Sequence, residues 1–200
     1  GKSSPCSLAH SIASSYPASA WRITPVAGSF QRTRARRRAA SSVPSATIMR
    51  PSVLFGPEDG FTNRFAALAR ISPFLPLIGG GVTRMQPAYV GDVATAVADA
   101  VDGKTKAGAT YELGGPEVLT MREIMEMILA TIGRDRMLVS LPWGLAKFQA
   151  MFLQFAPGAL KLTPDQVMML QSDNVVSDAA KAAGLTFGGL GIAPDSLEAI

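Results

Sequence analysis

Apolar positions fall into short runs in the second quarter of the chain and into helical stripes after that. Thr47-Ile-Met49 is a run of the kind that becomes a buried strand. Pro51 has no N–H for a ladder, so the strand is predicted to end near Arg50. Val53-Leu-Phe55 is a second run, closed by the turn pair Gly56-Pro57. Asp59 or Gly60 then opens a predicted helix with Phe61, Phe65, Leu68 and Ala69 on its apolar side, stopped by Pro73. Phe74 to Ile78 leads into Gly79-Gly-Gly81. With no Lys-Ser/Thr behind it, this triplet reads as a flexible turn rather than a phosphate cradle.

Arg84 to Val93 predicts an edge strand, tolerant of Pro87, that runs into a helix near Asp92. Asp92 is the expected cap, a catalytic role being the alternative, and Val93, Ala94, Val97, Ala98 and Val101 form the expected packing face. Thr110-Tyr-Glu-Leu113 alternates as a strand and Gly114-Gly-Pro116 turns it. Thr120-Met-Arg-Glu123 is a capping box, opening a helix that buries Ile124, Met125, Ile128, Leu129 and Ile132 and ends at Gly133. Met137 to Leu141 is a further strand, broken by Pro142.

Trp143 to Phe155 carries Leu145, Phe148, Phe152 and Phe155 close to one stripe, suited to a partner or to a membrane surface; its only cation, Lys147, is poor for anionic lipid. Thr163-Pro164 caps a helix to Gln171, Ser177 opens a short one to Ala183 stopped by Gly184, and Pro194 starts a last one. The Met-rich helices between Met121 and Met169 are expected to form a helical lobe over a cleft, with plain core as the other reading of their methionines.

Charge divides the chain in two. Up to Pro57 there are eight Lys or Arg and no acid; from Glu58 on there are eleven basic and fifteen acidic residues, so the net +4 conceals two chemistries. Residues 1–45 form a basic, Ser-rich, low-complexity segment with its densest run at Gln31 to Arg38. It fits a transit peptide, an anion-binding arm, or a segment that stays unfolded. Residues 46–200 carry the folded pattern, and 48% hydrophobic content is enough for a sizeable core. The single cysteine, Cys6, excludes an internal disulfide and argues against a cysteine-based metal cluster. No apolar run reaches eighteen residues, so no spanning helix is predicted.

Ala46-Thr-Ile-Met-Arg-Pro-Ser-Val-Leu-Phe-Gly-Pro57, then Arg84…Pro87-x-Tyr-Val-Gly-Asp-Val-Ala94 and Thr110 to Pro116, resemble the carboxyl-terminal half of extended or atypical short-chain dehydrogenases, the NAD(P)-dependent epimerase/dehydratase-like superfamily. Phe61-x-Asn-Arg-Phe65, the run from Pro73 to Gly81 and Ser172-Asp-Asn-Val-Val176 are similar to the branch containing the nucleotide-binding accessory subunit of respiratory complex I and its bacterial relatives. The resemblance implies an α/β fold: part of a Rossmann-like parallel sheet with a small helical carboxyl-terminal lobe. It implies NADP or NAD as cofactor, passed by Arg50, Pro51, Ser52, Val53, Leu54 and Phe55, and a substrate cleft touched by Asn63, Arg64, Arg84 and Gln86.

Two family features are missing from the sequence. No glycine fingerprint precedes the core. The catalytic Tyr-x-x-x-Lys is absent too, since Tyr16, Tyr89 and Tyr111 are followed at the fourth position by Ala20, Val93 and Gly115. No catalytic residue and no metal ligand is therefore named. The abrupt junction near Val43 suggests an out-of-frame or misassigned segment joined to a genuine carboxyl-terminal half.

The resemblance implies a non-catalytic accessory protein of complex I or the quinone pathway, with peripheral membrane association and no nucleic-acid partner. Its location would be the bacterial cytoplasm or the cytoplasmic face of the inner membrane, or the matrix side of the mitochondrial inner membrane. The alternative is a truncated sugar-nucleotide epimerase/dehydratase or hydroxysteroid-type dehydrogenase. A basic nucleic-acid-binding arm on an unrelated core is the third.

Overall fold

A computed structural model describes residues 46–155 and 163–197. The reading of residues 1–45 as unfolded or misassigned lies outside them. The elements, in order, are β1 (Ile48–Pro51), β2 (Leu54–Phe55), α1 (Thr62–Ile71), β3 (Phe74–Ile78), β4 (Arg84–Met85), β5 (Ala88–Tyr89) and α2 (Val90–Val101). There follow β6 (Thr110–Leu113), β7 (Leu119–Thr120), α3 (Met121–Thr131), β8 (Met137–Leu141), α4 (Trp143–Leu153), α5 (Pro164–Met169) and α6 (Asp178–Ala182). The described strands pair two by two: β1 with β6, β2 with β5 and β3 with β8 are parallel, while β4 and β7 are antiparallel.

The first strand runs one residue past its predicted end, and the ladder explains why. The N–H groups of Ile48 and Ser52 donate to the carbonyls of Ala109, just before β6, and Leu113 at its end. Donors alternate sides along a strand, so the nitrogen of Pro51 points away from β6 and costs the ladder nothing. Pro87 acts differently. Instead of lying within one edge strand it separates two, with β4 paired to β7 and β5 to β2.

Asp59 organises the entry to α1, its carboxylate accepting from the N–H groups of Phe61 and Thr62 and from the Thr62 hydroxyl. Asp92 does not cap α2. That helix starts two residues earlier with no side-chain cap, and the Asp92 carboxylate accepts the N–H of Asp195 instead. The buried face of α2 is Ala96 with Val93 beside it, whereas Ala94 and Val97 are exposed. The capping box at Thr120 and Glu123 is formed, and the buried side of α3 is Met121, Ile124, Met125, Ile128 and Leu129. These side chains meet Leu75 and Leu77 of β3 and Ala69 of α1 in the largest core cluster.

The three glycines after β3 form a tight left-handed turn with φ of 62°, 79° and 73°, a conformation that needs glycine. A Cβ on Gly79 would lie 2.0 Å from the Trp143 ring, so this turn is a seat for the first residue of α4 rather than a loose linker. Helix α4 buries Ala146 and Ala150 against Ile78 and Val167 and turns Phe148 and Phe152 outward, 59% and 64% exposed, with Phe155 just past its end 83% exposed. The small alanines allow a close approach to the sheet end. Caps at Thr163 and Ser177 open α5 and α6. Residues 194–196 lie outside any helix, Leu197 begins a 3-10 turn, and the rest of the helix expected from Pro194 lies outside the described residues.

Removing the Thr120 hydroxyl leaves an N–H at the start of α3 without its partner. Thr120→Ala is expected to lower unfolding free energy by about 1 kcal/mol in urea titration. A variant within error of the parent would show that the cap contributes nothing.

Candidate functional site

The carboxyl edge of β1 and β6 is where an open α/β sheet meets a ligand. Arg50 and Glu112 are register partners across the two strands, and the Arg50 Nη1 to Glu112 Oε1 distance is 2.8 Å. The other carboxylate oxygen of Glu112 accepts the N–H of Ser177 at 2.8 Å. Ser52 follows the strand end; its hydroxyl donates to the Asn174 carbonyl at 2.6 Å and accepts from the Gln86 N–H at 3.2 Å. The Gln86 amide donates to the Gly115 carbonyl at 2.7 Å and accepts from the Val176 N–H at 3.0 Å.

Together these contacts fasten the segment from Asp173 to Ser177 along the edge. Asn174 bridges Met85 as a parallel strand would, its N–H donating to the Arg84 carbonyl at 2.8 Å. The Arg84 guanidinium and N–H both engage the Asp173 carboxylate, at 2.8–2.9 Å. Those bonds hold the Asp173 carboxyl below the usual carboxylate range: the Arg84 N–H contributes most, then its side-chain bond. Gly115 lies so close that an added Cβ would be 1.9 Å from the Pro87 carbonyl, and no larger residue fits there.

Four of the residues singled out from sequence, Arg50, Ser52, Gln86 and Arg84, are thus brought together around one tail segment. Pro51, Val53 and Leu54 are half-buried, with Val53 and Leu54 packed on different core clusters; Phe55 is buried with its ring 5.7 Å from that of Tyr89. Asn63 and Arg64 stand apart on α1. The Asn63 amide donates to the carbonyls of Pro57 and Asp59, and partial burial lowers the pKa of Arg64. Sequence reading missed Glu112 and named Asp173 and Asn174 only as part of a motif, without their partners. The signal lay in pairs too far apart along the chain to be read: Arg84 and Asp173 are separated by 89 positions.

No proton relay is assembled among the described residues. The Tyr111 hydroxyl is buried and accepts the N–H of Lys106 at 3.1 Å, a structural bond. Among the described residues no cluster of His, Cys, Asp or Glu is arranged to hold a metal, and no helix is long and apolar enough to cross a membrane.

No family model matches the sequence. The mitochondrial NADH dehydrogenase (ubiquinone) 1 alpha subcomplex subunit 9 of Arabidopsis thaliana is 38% identical over 167 residues, 79% of this chain and 40% of that protein. The chain is homologous to this complex I subunit, and the part matched is the carboxyl-terminal half of the fold. It spans about 40% of its relative's length. Among solved structures, a nucleoside-diphosphate-sugar epimerase from Staphylococcus aureus aligns with a TM-score of 0.61 at 16% identity, covering 89% of this chain and 59% of that one. An NAD-dependent NDP-hexosamine 5,6-dehydratase involved in tunicamycin biosynthesis aligns at 0.54 and 15% identity, covering 84% and 48%. At such identities the likeness establishes the Rossmann-like fold.

Gln86→Ala strips a partner from two backbone groups, Gly115 C=O and Val176 N–H, and is expected to cost about 2 kcal/mol in urea unfolding. A change below a few tenths would mean that the tail is held without it. Asp173 supplies a pH test. Its depressed pKa means that its contribution is present above the ordinary Asp value, about 3.9, and is lost as pH falls through the lower folded-state value. The pair is solvent-exposed, so its worth is at most about 1 kcal/mol. The stability gap between the parent and Asp173→Asn is therefore expected to be constant above pH 5 and to close as pH falls below about 4; a gap independent of pH contradicts the assignment.

Proposed function

We propose that this chain, a homologue of complex I subunit 9 proteins, is the carboxyl-terminal portion of a non-catalytic, NAD(P)-binding-type accessory protein of the respiratory NADH dehydrogenase. The 38% identity to the Arabidopsis subunit carries this reading. The chemistry of the chain agrees with it: the carboxyl edge is occupied by the protein's own tail, and no Tyr-x-x-x-Lys is present to move a proton. The mitochondrial designation of the relative favours the matrix side of the inner membrane over the bacterial location.

The dinucleotide fits the described residues poorly. Arg50 and Ser52 are committed to Glu112 and Asn174, and the cavity they line has a volume of about 20 Å³, against roughly 300 Å³ or more for ordinary small-molecule sites. By itself this chain is thus a weak dinucleotide binder or none. The role left to these residues is to hold the segment from Asp173 to Ser177, and α6 behind it, against the sheet edge. The outward stripe of Leu145, Phe148, Phe152 and Phe155 then supplies peripheral attachment to the enzyme or to the adjoining bilayer surface.

Blue-native electrophoresis of gently solubilised mitochondria carrying the tagged protein provides the test. Co-migration with NADH dehydrogenase activity is expected, and a Phe148→Glu, Phe152→Glu double variant is expected to reduce the co-migrating share at least fivefold. A protein that runs free in the soluble fraction overturns the reading.

A further inference from the structure

The small cavity under the tail segment has a property that its ion pair does not explain. Arg50 reaches Glu112 through Nη1, yet its Nε lies buried without a hydrogen-bond partner among the described residues. A buried guanidinium N–H left unpaired is costly, on the order of 1–3 kcal/mol, and native proteins seldom leave one so. Around it the cavity of about 20 Å³ is walled by Ser52, Glu112, Leu113, Asn174, Val175 and Val176. That volume exceeds the roughly 10–15 Å³ one water requires and excludes anything as large as a pyridine ring.

We propose that this chamber is a binding site for a single ordered water, which accepts from Arg50 Nε–H and donates to oxygen atoms of the chamber wall. The chemistry of the wall selects water over an anion. The Glu112 carboxylate already neutralises the guanidinium, and a second negative group would face it at short range. Selection over nicotinamide follows from size. Arg50 becomes a positioning residue: through Nη1 it holds Glu112, hence the Ser177 N–H, and through the water it holds the middle of the tail. The inference extends the reading of this edge as a tail seat and does not depend on the attachment to complex I.

A crystal structure of the protein at high resolution, with and without an NADPH soak, tests it. The expected result is one density peak within about 3.2 Å of Arg50 Nε and of a second polar atom, unchanged by the soak. Arg50→Lys keeps the charge opposite Glu112 but has no Nε; it is expected to lose the peak while the introduced ammonium stays near Glu112. A peak of unchanged position and height in that variant overturns the proposal. So does a parent chamber that is empty, filled by a protein side chain, or occupied by an anion or the nicotinamide.

Discussion

The Asn174 carbonyl oxygen is the acceptor on which the carboxyl edge converges, taking the Ser52 hydroxyl and the Gln86 N–H together. Ser52 belongs to the end of β1, Gln86 to the link between β4 and β5, and Asn174 to the tail; one oxygen thus ties three distant stretches. Half-buried polar groups of this kind fix register more sharply than apolar contacts, because a slip by one residue leaves each unpaired. Glu112 and Asp173 extend the same seam on either side, toward Ser177 and Arg84. Loosening the seam would free the tail and α6 from the sheet edge they rest on.

Apolar packing is completed on the inner side and left open on the outer. Parallel strands are ordinarily covered on both faces. In the β3–β8 pair, Leu75 and Leu77 face the core formed with α1 and α3, and Ile78 meets α4. The remaining end of that second face carries Phe74 and Met137, opposite each other in register and 56% and 72% exposed. Together with the outer stripe of α4, this leaves two exposed apolar groups among the described residues.

Local signals are legible in the sequence and remote ones are not. The capping box at Thr120, the caps at Thr163 and Ser177 and the strand from Thr110 to Leu113 depend on residues within a few positions, and each forms as read. Errors arise where a distant partner decides. Asp92 looks like a cap because its helix is in view, whereas Asp195 is not. Trp143 seats on Gly79, a contact between remote positions that no local pattern announces. Arg50, Ser52, Arg84 and Gln86 do form a group at the edge, although what they touch in this chain is protein. Their partners Glu112, Asn174, Asp173 and Val176 lie 62, 122, 89 and 90 positions away, beyond the reach of any periodicity.

The carboxyl edge therefore depends on the tail being a fixed part of the sheet. Hydrogen–deuterium exchange of the backbone tests this most directly. The amides of Asn174, Val176 and Ser177 are predicted to be protected and to open together with those of β1 and β6, as one cooperative unit. Rapid exchange of those three amides, at the rate of an exposed loop while β1 and β6 remain protected, would contradict it.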